Sequence, residues 1–166
     1  MIIRDFFENG INVTWTLLLI CFESCNLLKY CEYGKRFISA SEIIDYAIEL
    51  LETSDETSII SLAILKETEE EDILKLLQQL SVHENLDYSI EYKKFRAMYI
   101  LKNLPKSNDE VLQGSLKIYE LWDMFDFSDD LPDINLDFKK ISLKKYLELL
   151  DIHNEWIQNE FNSIRG

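Results

Sequence analysis

The chain has 166 residues, 47% of them hydrophobic and 29% charged, proportions that suit one globular domain and exclude global disorder. Only four Gly and two Pro argue against a turn-rich all-β fold, and the abundance of Leu, Ile, Glu and Lys favours helices. Seventeen Lys and Arg against 31 Asp and Glu give a formal net charge of −14. That balance disfavours nucleic acid and anionic membranes, which attract Lys and Arg, and favours a basic protein partner.

In chain order, Met1 to Asn9 reads as a short helix carrying Ile2, Phe6 and Phe7, with Gly10 as its stop. Thr14 is placed to cap a second helix, Trp15 to Lys29, with Gly34 in the loop beyond. Its apolar run, Trp15 to Phe22, is too short to span a bilayer and lacks a basic leader, so a buried helix in a cytoplasmic protein is expected. Cys21, Cys25 and Cys31 have no fourth Cys or nearby His to complete a zinc set and are expected as free thiols.

Ser39 and Glu42 have the spacing of a capping box, opening a helix with Ile43, Ile44, Ala47, Ile48 and Leu51 on one face. After the turn Thr53-Ser54-Asp55, the apolar run Ile59 to Leu65 is expected to be the most buried helix, with a central strand as the competing reading. Thr68 with Glu71, and Ser107 with Glu110, repeat the capping-box spacing. The carboxylates Glu69, Glu70, Glu71 and Asp72 then fall in a first helical turn, where the helix dipole favours anions.

Tyr88 to Asn103 forms a basic helix with Tyr88, Tyr92, Phe95 and Tyr99 at helical spacing, a core stripe or, if exposed, a contact patch; Pro105 ends it. The segment Ser115 to Ile134 packs Tyr119, Trp122, Phe125 and Phe127 into nine residues before an acidic loop, and such aromatic density marks a core anchor. Ser142 caps a final helix with Leu143, Tyr146, Leu147, Leu150, Ile157 and Phe161. The expectation is an all-α fold, a single domain over 1–166 of about seven helices in a bundle, with solenoid-like pairing of helices also compatible.

No constellation in the letters carries catalysis. His83 and His153 lack the partners of helical metal motifs, and His153 falls on an apolar stripe as a packed, hydrogen-bonded residue. Asp126, Ser128, Asp130 and Asp137 occupy calcium-loop register, but Leu131 stands where Gly is needed and the last ligand is Asp rather than Glu, so no metal or cofactor is expected. The candidate partner-binding residues are therefore acidic: Glu69, Glu70, Glu71, Asp72, Asp126, Asp129, Asp130 and Asp133.

Two stretches carry a family resemblance, INVTWTLLL followed by SASEIIDYAIELL, and LKIYELWDMFDFSDD. Together they resemble the bacterial domain-of-unknown-function family numbered 2247, matching at Trp15, Ile43, Ile44, Tyr46, Ala47, Trp122, Phe125 and Asp130. Ser128 stands in place of the family's Pro, Phe127 in place of its Tyr, and the tail after Asp133 departs further, leaving about two-thirds of the chain covered. The matched positions are packing residues. The resemblance implies a helical bacterial domain and an immunity-protein association. The functional expectation is a non-enzymatic, antitoxin-like immunity protein neutralising a basic toxin domain. The alternative is a helical adaptor that binds through an apolar groove, and an enzyme with scattered carboxylates ranks last.

Overall fold

An apolar run with no polar face must be covered on all sides, and the helix Trp15–Phe22 (α2) has that composition. Seven of its eight residues are buried, all but Leu19. The Thr14 hydroxyl caps it by accepting from Leu17 N at 3.0 Å. A second anchor was invisible in the sequence. The Glu84 carboxylate, 68 residues away, accepts from the N–H groups of Trp15 and Thr16 at 2.8 Å each and from the Thr16 hydroxyl at 2.9 Å. It thereby satisfies donors that every helix start leaves unpaired.

The structure, a computed structural model, describes residues 1–30 and 35–165. Among the described residues it forms nine helices and no strand, an all-α fold. Ile2–Glu8 (α1) precedes α2, and Ser24–Leu27 (α3), Ala40–Leu50 (α4) and Thr57–Ala63 (α5) follow it. The remainder are Glu70–Glu84 (α6), Tyr88–Asn103 (α7), Val111–Met124 (α8) and Leu143–Arg165 (α9). Helix α2 lies between α6 and α7, α7 packs on α9, and α4 and α5 form a hairpin against α6. Buried apolar side chains from every one of these helices except α3 make one continuous core.

Several expectations are corrected. The helix read as Trp15 to Lys29 breaks at Glu23, so α3 is a separate turn. The run Ile59 to Leu65 is neither a strand nor the most buried helix. In α5 only Ile59 and Leu62 are buried, because the hairpin covers one side of it, and Ile60 and Ile64 stay 42% and 77% exposed. That central position belongs to α2.

Of the three capping boxes, the first forms by half. Ser39 Oγ accepts from Glu42 N at 3.2 Å, but the Glu42 carboxylate accepts from Ile3 N at 3.4 Å, bracing α1. Neither of the others forms. Helix α6 begins at Glu70, after a turn in which the Glu69 carboxylate accepts from Lys66 N at 2.6 Å. Helix α8 begins at Val111 and is capped by Glu110 itself, which accepts from Leu112 N at 3.2 Å and Gln113 N at 3.1 Å. At α8 a carboxylate takes the place expected of the hydroxyl, whereas α6 starts without a side-chain cap. Cys21 is a buried free thiol as expected, and burial pushes its pKa up. Cys25 is disulfide-bonded, which overturns the free-thiol reading there. Cys31 and Gly34 lie outside the described residues.

Between α8 and α9 the chain runs without helix from Phe125 to Ser142. Asp126 and Phe127 take left-handed φ values of 51° and 47°, which turn the chain out of α8. Phe127 and Phe138 then pack on Tyr119, with ring centroids at 5.0 and 5.9 Å, folding the loop back over α8.

Candidate functional site

The loop after α8 is tied down from beneath. Arg96 on α7 is 6% exposed, a rare depth for a cation. Its guanidinium donates to both carboxylate oxygens of Asp130, at 2.9 and 2.5 Å, and to Glu160 Oε2 at 3.2 Å and Ser128 Oγ at 3.2 Å. Trp156 lies beside this group, donating its indole N–H to Asp130 O at 2.9 Å with its ring 5.2 Å from the guanidinium. Desolvation, the largest single influence, raises the Asp130 pKa, but the hydrogen bonds and charge of Arg96 outweigh it and leave the carboxyl below its ordinary range.

Asp130, expected at the partner surface, is thus held by Arg96, although 46% of its side chain stays exposed. Asp126, Asp129 and Asp133 are exposed. Asp126 lies 3.8 Å from Lys29, whose ammonium sits 2.7 Å from Asp123. The Asp133 carboxylate accepts from Asn135 N at 3.0 Å, and the Asp137 carboxylate from Lys139 N at 3.1 Å. Of the residues in calcium-loop register, Ser128 and Asp130 are therefore directed to Arg96, Asp137 to a backbone N–H, and Asp126 lies nearest Lys29. Among the described residues no three His, Cys, Asp or Glu are grouped to hold a metal.

The other expected cluster, Glu69 to Asp72, is exposed throughout. Glu70 pairs with Arg36 at 2.7 Å and Asp72 with Lys75 at 3.3 Å, both at the surface, where such pairs add little stability. The segment after α2 thus supplies a cation to each acidic cluster, Lys29 to the loop and Arg36 to α6.

The charge itself is unevenly spread. From Ser41 to Asp72, through α4, α5 and the start of α6, the chain has eleven Asp and Glu and one Lys, ten of its fourteen net negative charges. Asp45, Glu49, Glu52, Asp55, Glu67 and Glu71 in this stretch are all exposed. By contrast, the loop aspartates are followed at once by Lys139, Lys140, Lys144 and Lys145. The strongest acidic surface therefore includes Glu69 to Asp72 but extends back across the α4–α5 hairpin. Counting charge along the chain would have found it.

Two buried polar groups also escaped the sequence reading. Glu91 and Lys94 form an ion pair at 2.7 Å with both side chains under a tenth exposed. The Thr14 hydroxyl donates to the same Glu91 carboxylate at 2.6 Å, joining α7 to the start of α2. The expected aromatic stripe on α7 is graded rather than uniform. Phe95 is buried, Tyr92 and Tyr99 are partly covered, and Tyr88 is 51% exposed.

A cleft of about 510 Å³ lies between α3, α7 and the end of α8, lined by Arg36, Phe37, Tyr99 and Lys102 among others. Arg36 is committed to Glu70 and to Phe22 O, and Lys102 to Asp5 at 2.8 Å. Its cations are engaged within the protein. No helix among the described residues is long and apolar enough to cross a membrane.

Fold and surface together define an all-α protein whose buried charges are internally paired and whose acidic excess gathers between Ser41 and Asp72, from α4 to the start of α6. The chain belongs to the family described as uncharacterized protein conserved in bacteria (DUF2247), whose model matches residues 3–161. The match extends into α9, well past the two-thirds that the sequence motifs covered. No curated protein and no solved structure matches the chain.

Proposed function

We propose that this protein is a non-enzymatic binding protein for a basic protein domain, acting as an antitoxin-like immunity protein that covers a toxin's functional surface. The observation that carries this reading is the concentration of ten net negative charges between Ser41 and Asp72, on helices α4 and α6 and the turns between them, with every carboxylate residue but Glu42 exposed. A field of one sign steers an oppositely charged partner and raises its association rate in a salt-dependent way. The loop aspartates Asp126, Asp129 and Asp133 add a second acidic region, held in shape by the Arg96–Asp130 pair.

The experiment begins with immobilised protein in host lysate at low ionic strength and a salt gradient for elution. The protein released is then purified and tested for toxicity when expressed alone and with this chain. The expected partner is basic, is released by salt, and is toxic only when expressed alone. Replacing Glu49, Glu52, Glu67 and Glu71 by Lys is expected to slow its association by about tenfold or more at low salt. An unchanged rate across salt concentrations defeats the charge-steering reading. A partner that stays bound at high salt favours the adaptor with an apolar groove instead.

A further inference from the structure

Isoleucine is among the most consistently buried residues, and the most exposed one among the described residues, Ile64, stands inside the acidic segment. Ile60 on α5 and Ile64 at its C-cap are four residues apart and are 42% and 77% exposed, while Ile59 and Leu62 are buried against the core. On α4, Ile48 is 48% exposed. A shallow groove of about 470 Å³ runs between Ser41, Ile44 and Asp45 on one side and Leu65 to Thr68 on the other. The start of α4 therefore lies beside the end of α5, and the two helices run antiparallel. Ile64 directly precedes the groove's far wall, and the charged residues of the lining are Asp45 and Glu67 with one cation, Lys66. Interfaces commonly have this composition, apolar anchors inside a polar rim.

We infer that the α4–α5 hairpin is the docking face for an amphipathic, Lys- and Arg-rich segment of the partner protein. The apolar side of that segment seats on Ile60 and Ile64, and its cations meet Asp45, Glu49 and Glu67. The inference rests on the reading of this protein as a binder of basic domains and names the surface that does it. Charge complementarity selects the occupant. A second copy of the chain would set one acidic rim against another, and an anionic lipid surface would meet the same repulsion.

The test uses the full chain and two synthetic peptides of equal length and equal Lys content. One peptide carries Leu at helical spacing, and the other carries Ser at those positions. Binding is measured by fluorescence anisotropy at low salt for the native protein, for the double variant Ile60→Ser with Ile64→Ser, and for Val82→Ser. Val82 is 75% exposed on α6, outside the hairpin, and serves as the control. All three proteins are checked for native helicity by circular dichroism.

The Leu peptide is expected to bind the native protein about tenfold or more tightly than the Ser peptide, as burial of two isoleucines requires. The double variant should lose that gain and still bind the Ser peptide normally, while Val82→Ser keeps the gain. Equal binding of the two peptides to the native protein, or equal loss of the gain in both variants, overturns the apolar anchoring and leaves charge recognition standing. Failure of both peptides to bind at low salt overturns both readings. A concentration-dependent dimer in sedimentation that the double variant abolishes would assign the face to a second copy and overturn the proposed occupant.

Discussion

The indole N–H of Trp122 donates to Nε2 of His153 at 2.7 Å, with both side chains fully buried between α8 and α9. Nδ1 of the same imidazole lies 2.6 Å from Leu149 O, so the hydrogen-bond pattern assigns the neutral tautomer with its proton on Nδ1. Burial holds the His153 pKa below its ordinary value of 6.5, against a smaller opposing effect from the Leu149 carbonyl.

His153 therefore makes stability depend on pH. Above the unfolded-state value of 6.5 the residue is neutral in both states, and its packing contributes in full. As pH falls below that value the unfolded chain takes up a proton that the folded chain resists, and stability declines until the lower folded pKa is passed. Urea denaturation from pH 8 to pH 5 should show this decline, and His153→Gln should flatten it. Trp122→Phe leaves Nε2 without its donor and should cost about 1–3 kcal/mol.

The buried Glu91–Lys94 pair behaves differently under single and double substitution. Glu91→Ala strands the Lys94 ammonium at a site with an 8% exposed side chain and removes the acceptor of the Thr14 hydroxyl. Breaking a buried pair in this way costs about 3–5 kcal/mol. Replacing both residues by Met should restore most of that loss, since an apolar pair removes the uncompensated charge. A double-mutant cycle by chemical denaturation measures the coupling, and strictly additive losses would show that the pair does not act as a unit.

Gly114 on α8 is needed for a close approach. A Cβ added there would meet the Tyr146 hydroxyl at 2.3 Å and its ring carbons at 2.6 and 2.7 Å. Tyr146 cannot easily give way, because it is fully buried and donates its hydroxyl to Lys106 O at 2.6 Å. Gly114→Ala should destabilise the protein by about 1–3 kcal/mol through this overlap, despite the gain in helix propensity. Tyr146→Phe should not rescue it, because the ring carbons still collide. Thermal melts of the two single variants and the double variant decide the matter.

Arg96→Met should release the acidic loop. The substitution keeps much of the apolar stem and removes the hydrogen bonds to Asp130, Ser128 and Glu160, at a cost of about 1–3 kcal/mol. Amide exchange across 126–142 should accelerate while α2 and α6 keep their protection. The Asp130 contribution, present in the native protein above its ordinary carboxyl value of 3.8 and lost as pH falls through the lowered folded value, should vanish in the variant. Unchanged exchange in the loop would show that the aromatic packing on Tyr119 is sufficient to hold it.

Short-range physics made much of the fold readable. The Thr14 and Ser142 caps, the start and end of α7, the amphipathic α4 and the packed His153 all follow from residues within about one turn of each other. The misplaced capping boxes at Thr68 and Ser107 belong to the same range, but α6 starts with no side-chain cap and α8 is capped by the carboxylate of Glu110. A capping pattern names the partners a helix start can use without saying which one wins.

By itself, the sequence determined that the chain is helical, where most helices lie, and that the protein is strongly acidic, because periodicity, capping and charge are local or additive properties. Only the tertiary structure decided that Glu84 caps α2, that Arg96 holds Asp130, and that Ile60 and Ile64 face solvent while α2 is enclosed. Those outcomes join residues 34 to 69 positions apart or depend on which helix covers which face. Neither follows from a local pattern, because one apolar stripe is compatible with several neighbours and packing selects among them.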